Sequence, residues 1–479
     1  MELFPFQKEA VRLAIDKFNG RALVALDMGL GKTPVAISVA VHFMSFPAVV
    51  ICPASLRLNW AREIRMWSNA APKDVNIILS KKDQISRSFK WTVLSYEQAT
   101  SRIIELASIN PQMVIVDESH YVKNREARRT KAVVALCREA PRCLLLSGTP
   151  LLNRPIELWC QLEALKFSLG SYWDYAKKYC GAYQGKFGWD VSGSTNSKEL
   201  NERLISGCMI RQRKSEVLTQ LPEKMRTRLS VGGLGRAPMG NALKILCQKA
   251  YGKFPESMPS AMNWLRSRNH EISDCIFSAY SELAVLKSEA AAEIALELLR
   301  SGRPLVIFAH HKAMIGALSQ ALSEAGVSFG TITGDTKLQD RQRCVDDFQS
   351  GKIKAAVLSI TAASTGLTLT AATDMLITEL PFSPGVALQA EDRIHRIGQE
   401  SAVLIRYLCA DGTLDEALWR IITRKQRTAN QVLDGIMASE FEEAEHKELG
   451  SYWAVVEQVL SDIYVERDRA VTEQGAIFI

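Results

Sequence analysis

The amino-acid sequence predicts an α/β fold with two parallel-sheet lobes and helical insertions between them. Short apolar runs alternate with stretches of helical spacing in two separate regions, one before residue 150 and one after residue 300. Each apolar run stops at a polar segment, and it is at the carboxyl ends of parallel strands that ligands gather. With 479 residues, 47% hydrophobic and 23% charged, the chain is globular and long enough for two or three domains.

Residues 3–15 form an amphipathic helix on Leu3, Phe6, Ala10, Val11 and Ala14, and this helix carries Gln7. An amide offers a donor and an acceptor, which matches an adenine edge; an exposed helix glutamine is the alternative. The apolar run 22–26 leads into DMGLGKT, residues 27–33, and then into helical spacing at Val35, Ala36, Val39, Ala40 and Phe43. Such a strand-to-helix turn is where phosphate binds, a plain glycine-rich turn being the alternative. Gly29 and Gly31 let the backbone approach an anion, the helix start offers unpaired N–H groups, Lys32 adds a point charge, and the Thr33 hydroxyl can ligate Mg²⁺. Pro34 suits the first helical turn. The pattern G-x-x-x-x-G-K-[ST] would place Gly where Leu26 stands, so the loop is the shorter form found in helicase-like ATPases.

Further strands are expected at 49–52, 92–94, 113–116 and 143–146, ending in CPASL, SYE, DESH and SGTP. In DESH, two adjacent carboxylates at a strand end divide a nucleotidase's labour: Asp117 for Mg²⁺, Glu118 to polarise the attacking water. Asp-Glu alone also suits a capped turn; its order after GLGKT favours catalysis. Ser147 and Thr149 place hydroxyls beyond the next strand, where they can sense the phosphate site.

From residue 151 to about 230 the sheet pattern stops. An aromatic-rich helical region (Trp159, Trp173, Tyr175, Tyr179, Trp189) leads into Arg203, Arg211, Arg213, Lys214, Lys224, Arg226 and Arg228, set against only Glu216 and Glu223. The aromatics read as core, and the basic cluster suits a polyanion. Residues 232–240 form a flexible crossing and 284–299 a helix. A second sheet is expected from strands at 305–308, 356–358, 375–377 and 403–407, with the hydroxyl- and glycine-rich loop 359–370 after its second strand. In QAEDRIHRIGQ, residues 389–399, Arg393 and Arg396 are three apart; on one helical face both could reach a γ-phosphate as arginine fingers. Bridging Glu391 and Asp392 on a surface helix is the competing reading.

The net charge is +7, and no apolar run reaches the roughly 18 residues that a membrane span needs. The start MELFPFQKEA lacks a basic segment followed by an apolar one, so a cytoplasmic protein is expected, or a nuclear one if the source is eukaryotic. Ten cysteines stand singly with no C-x-x-C pair, which argues against a zinc ribbon or a disulfide framework.

The ordered set LFPFQ, DMGLGKT, CPASL, DESH, LSGTP, STGLTLT and QAEDRIHRIGQ resembles the Swi/Snf-type DNA-dependent ATPases of helicase superfamily two, over residues 3 to about 419. GWDVSGS (188–194), MIRQRKSEVLTQLP (209–222) and FAHHK (308–312) are similar to the HARP-type annealing helicases, although no HARP module is legible. The resemblance implies two RecA-like lobes, with lobe 1 over 1–165, a helical insertion and basic linker over 166–283, lobe 2 over 284–430 and a C-terminal extension over 431–479. It implies ATP and Mg²⁺ held by Gln7, Gly29, Gly31, Lys32, Thr33, Asp117 and Gln389, hydrolysis by Asp117 and Glu118, and fingers at Arg393 and Arg396. It further implies double-stranded DNA gripped along Pro53, Ser55, His310, Lys312, Ser364, Thr365 and Gly366 by a monomeric motor. Family members usually carry two adjacent arginines where this chain has Arg211 and then Gln212, which leaves the partner of Arg211 open. A strand-separating DNA or RNA helicase and a nucleotide-switched DNA-binding assembly protein are the rival readings.

Overall fold

The computed structural model describes residues 2–151, 154–185, 188–218, 220, 222–232, 241–360, 367–435, 456–457, 459–461 and 463–465. They fall into two compact units, the first from Met1–Leu221, Arg396–Glu400 and Lys425–Ala438, the second from Pro222–His395, Ser401–Arg424 and Ser439–Ile479.

The first unit is built on strands β1 (Arg21–Leu26), β2 (Ala48–Cys52), β3 (Val75–Ile77), β4 (Trp91–Ser95), β5 (Met113–Asp117) and β6 (Arg142–Leu146). A short antiparallel hairpin, β7 (Tyr183–Gly185) and β8 (Gly188–Asp190), stands apart, and β9 (Met209–Gln212) completes the main sheet. Its order is β3-β4-β2-β5-β6-β1-β9, with every neighbouring pair parallel. Alternation along each strand feeds two cores. Leu23, Ala25, Val49, Ile51, Val114 and Val116 pack on one face, while Ala22, Val24, Leu26, Val50 and Ile115 pack on the other.

The second unit holds β10 (Lys224–Val231), β11 (Leu305–Ala309), β12 (Phe329–Ile332), β13 (Ala355–Ser359), β14 (Asp374–Ile377) and β15 (Val403–Ala410). Their order is β10-β15-β14-β11-β13-β12, again parallel throughout. The helix Asn269–Arg300 runs for 32 residues and includes the stretch expected at 284–299. Val456, Val459 and Leu460, from the expected C-terminal extension, are buried with Leu243 and Cys247 in this unit's larger core.

Residues 166–283, expected as a helical insertion and basic linker, also supply a strand to each main sheet. Their basic stretch is divided between the sheets: β9 pairs with β1 at one edge, and β10 pairs with β15 at the edge of the other. Edge strands tolerate charged residues, which hid both strands behind a basic composition. Several of the charges have acidic partners. Arg213 pairs with Glu216, Arg228 with Asp411, and Lys224 and Arg226 with Glu391.

Glu391 anchors the β10 edge. Its side chain is fully buried, takes Lys224 Nζ at 2.9 Å and Arg226 Nε at 2.6 Å, and accepts the Tyr407 hydroxyl at 2.7 Å. Burial alone would raise its pKa, but Lys224 and Arg226 outweigh burial and hold it at about 2. Because the folded pKa is depressed, the stabilisation is complete above the usual value of 4.5 and is lost as pH falls toward 2. Glu391→Gln leaves the half-buried Lys224 and the partly exposed Arg226 without their carboxylate and should cost roughly 1–3 kcal/mol. Denaturant titration of the variant should show an earlier transition for the second unit, with the gap to wild type closing below about pH 3.

Candidate active site

Asp27 follows the last residue of β1, and the chain turns from there into the helix Lys32–His42. Two left-handed glycines make the turn, Gly29 at φ 82° and Gly31 at φ 73°, the latter as the residue before the first helical turn. A side chain on Gly31 would overlap the Gln7 amide, so close packing as well as backbone conformation requires glycine there. Gln7 is buried; its Nε2 donates to the Leu30 carbonyl at 3.0 Å and its Oε1 accepts the Phe4 N–H at 3.0 Å. The amide thus holds the loop against the first helix, using one of its two N–H donors to do so. Lys32 Nζ rests on the Leu26 carbonyl at 3.1 Å, and the half-buried Thr33 follows it.

Register brings the second half of the site alongside. β6 lies between β1 and β5, so Asp117, opposite Leu146, emerges on the same edge as the phosphate-type loop. Asp117 Oδ2 accepts the Trp60 indole N–H at 2.8 Å, and Oδ1 accepts the Glu118 N–H at 3.0 Å. Tyr96 donates its hydroxyl to the carbonyls of Asp117 and Glu118, at 2.6 and 3.1 Å. Glu118 adopts φ 52°, a left-handed conformation that a non-glycine residue holds only when its surroundings over-determine it. Burial, and then the neighbouring Glu118, push the Asp117 pKa up to about 6. His120 Nδ1 lies 3.2 Å from Ser147 Oγ and 3.4 Å from Glu118 Oε2, so DESH and SGTP meet through one imidazole. Burial, helped by Lys123, lowers that imidazole to about 3 and keeps it neutral. Ser147 Oγ in turn accepts the Thr149 N–H at 3.2 Å.

Arg396 belongs with this unit, and its Cβ is 3.0 Å from where a Cβ on Gly29 would sit. The shared helical face expected for Arg393 and Arg396 is absent, because the helix Pro384–Glu391 ends before either residue. Arg393 lies in the second unit, buried, with Nε on the Gln389 carbonyl at 3.1 Å and a second nitrogen on the Leu367 carbonyl at 3.4 Å. Gln389 is buried beside it. Neither arginine bridges Glu391, whose partners are Lys224 and Arg226.

Of the expected nucleic-acid residues, Pro53 and Ser55 are half-buried at the carboxyl end of β2. His310 and Lys312 are exposed after β11, where Glu379 accepts the His310 and His311 N–H groups at 2.6 and 3.0 Å. Lys312 faces the exposed Asp335 at 3.1 Å. Ser364, Thr365 and Gly366 lie outside the described residues. Trp60, Tyr96 and Gln161, which bonds Ser119 at 2.8 Å, were missed by the sequence reading. None of them sits in a phosphate or carboxylate motif, and each reaches the site only through the folded sheet.

The donor set fits a magnesium nucleotide. A buried carboxylate whose charge is disfavoured and a neighbouring hydroxyl are hard oxygen ligands, and Mg²⁺ characteristically takes one or two carboxylates plus substrate phosphates. Among the described residues no group of three His, Cys, Asp or Glu forms a complete protein cage.

An SNF2-related domain matches residues 6–232 and a helicase conserved C-terminal domain matches residues 287–398. The chain thus carries an SNF2-related domain followed by a helicase conserved C-terminal domain, consistent with a Swi/Snf-type ATPase of helicase superfamily two. It is 37% identical, over 99% of its length, to the SWI/SNF-related matrix-associated actin-dependent regulator of chromatin subfamily A-like protein 1 of Xenopus tropicalis, and covers 49% of that protein. It is 38% identical, over 91% of its length, to the human DNA annealing helicase and endonuclease ZRANB3, and covers 40% of it. The chain therefore spans about half or less of these curated relatives. In fold it is similar to the Hef helicase domain of Pyrococcus furiosus, with TM-score 0.51, 14% identity and coverage of 87% of this chain and 97% of that one.

The raised Asp117 pKa has a measurable consequence. Between the ordinary value of 3.8 and about 6 the folded state binds the extra proton, so stability falls as pH rises through that window and stays lower above it. Asp117→Ala, which has no carboxyl to titrate, should therefore lack the loss of stability that wild type shows between about pH 4 and about pH 6 in chelator, as read by calorimetry.

Proposed function

We propose that the chain is an ATP-driven translocase on double-stranded DNA that hydrolyses ATP to remodel DNA or protein–DNA complexes. One observation carries this reading: the glycine loop with Lys32, the Asp117–Glu118 pair and Arg396 meet at one edge of one sheet. In this reading Gly29, Gly31 and Lys32 cradle phosphates, Thr33 and Asp117 hold Mg²⁺, and Glu118 orients and polarises the attacking water. Bound Mg²⁺ supplies Lewis-acid neutralisation of phosphate charge. Arg396 is the finger nearest the loop. Arg393, tied to two backbone carbonyls, supports the motif that carries Gln389 and stands as the second finger. Gln7 fixes the loop and has a further N–H for adenine.

DNA is assigned to Pro53, Ser55, His310 and Lys312, with Ser364, Thr365 and Gly366 carried by motif alone. Contacts of this type address phosphates, so binding should be poorly sequence-selective and should lose roughly 10³-fold or more between 50 and 200 mM salt if six or more phosphates are engaged. The human relative is a DNA annealing helicase and endonuclease, which favours strand annealing as a second activity of the same motor.

ATP turnover measured with no nucleic acid, single strands, duplex, forks and RNA tests the reading. Duplex or fork DNA should stimulate most; equal stimulation by RNA, or efficient unwinding of a blunt duplex, would replace translocase by strand-separating helicase. Glu118→Gln should retain nucleotide binding and lose at least about 10²-fold in kcat, whereas Lys32→Ala should weaken binding as well. Wild-type turnover in Glu118→Gln would remove Glu118 from catalysis.

A further inference from the structure

Asp27 has every polar group engaged. Its N–H donates to the Gln212 carbonyl at 3.0 Å, and its carbonyl takes the Leu30 N–H at 3.2 Å and Lys32 Nζ at 3.5 Å. On the carboxylate, Oδ1 meets an Arg211 guanidinium nitrogen at 2.8 Å and Oδ2 accepts the Lys214 N–H at 3.0 Å. That carboxylate is an anion at the mouth of a loop shaped for anions, so left uncompensated it would repel the ligand. Arg211 is what compensates it. The guanidinium is nearly buried, also donates to the Ala25 carbonyl at 2.9 Å, and places Nε 2.6 Å from Asp434 at the end of the helix Leu414–Asp434. Asn201 fastens the same helix end by donating to the Val432 carbonyl at 3.0 Å.

We propose that Arg211, itself oriented by Asp434, is a positioning residue for the phosphate loop: it neutralises and aims Asp27, so that the end of the helix Leu414–Asp434 is a required part of the nucleotide site and sets its affinity. The same carboxylate carries Lys214 to the loop. Lys214 Cε is 3.7 Å from where a Cβ on Gly29 would sit, and the lysine is buried. A single Arg211 suffices in this arrangement, since the adjacent Gln212 is used elsewhere, donating to the Phe6 carbonyl at 3.0 Å. This inference rests on the nucleotide reading above.

Titration of the 479-residue chain with a fluorescent ATP analogue and Mg²⁺ tests it. Arg211→Gln should weaken binding by about tenfold or more and raise KM for ATP, while kcat at saturating ATP changes by less than about threefold. Asp434→Asn should shift affinity in the same direction by a smaller factor, and Arg211→Lys should fall between wild type and Arg211→Gln. The deciding variant is Asp27→Asn added to Arg211→Gln. Removing the uncompensated carboxylate should restore affinity to within about threefold of wild type, which a merely structural role for Arg211 would not do. Unchanged affinity in folded Arg211→Gln, or a double variant no better than the single one, would overturn the proposal. If Arg211→Gln does not fold by thermal melting, unchanged affinity in both Asp434→Asn and Arg211→Lys would overturn it equally. Failure of the wild-type chain to bind the analogue would overturn the nucleotide reading and this inference together.

Discussion

Parallel pairing of β1 with β6 and β9, and of β6 with β5, is the constraint on which the rest of the first unit depends. A sheet buried on both faces has no room for polar side chains along its strands, so polar chemistry is confined to the strand ends. Because every strand runs the same way, those ends emerge on one edge. Asp27, Asp117 and Ser147 are adjacent there although 90 and 30 residues separate them in sequence. The apolar interior is thus what gathers the polar site.

Burial then dictates how each charge is treated. Glu391 is matched by two cations and a hydroxyl, the buried Lys287 by Asp415 at 2.6 Å and by the Leu408 carbonyl, and Arg211 by two carboxylates. Such matching is needed because one partner left alone costs several kcal/mol. Asp117 departs from the pattern: its partners are an indole N–H and a backbone N–H, and its charge is disfavoured. A carboxylate held at that energetic cost, next to a residue in left-handed backbone, is the observation that supports the proposal of a cation brought there by a ligand.

Much of this was legible in one dimension. The apolar runs of β1, β2, β4, β5 and β6 announced themselves because each is buried on both faces and so is mostly hydrophobic. The glycines before Lys32 and the carboxylate pair at Asp117 were legible because phosphate and metal chemistry restrict residue type over a few positions. β9 and β10 were not, since edge strands carry charge and read as a basic linker. The helical face expected for Arg393 and Arg396 failed because the helix stops at Glu391, before either residue.

The sequence by itself determined which residues could do chemistry and which runs could be strands, because backbone preference, hydrophobic period and motif spacing are properties of a few neighbouring residues. Only the tertiary structure decided which charges meet. Arg211 and Asp434 are 223 positions apart and Arg226 and Glu391 are 165 apart, and no local pattern ties such partners together. Their pairing follows from the register of edge strands and the end point of a helix, which are settled when apolar faces pack and the buried charges must find whatever partner that packing leaves within reach.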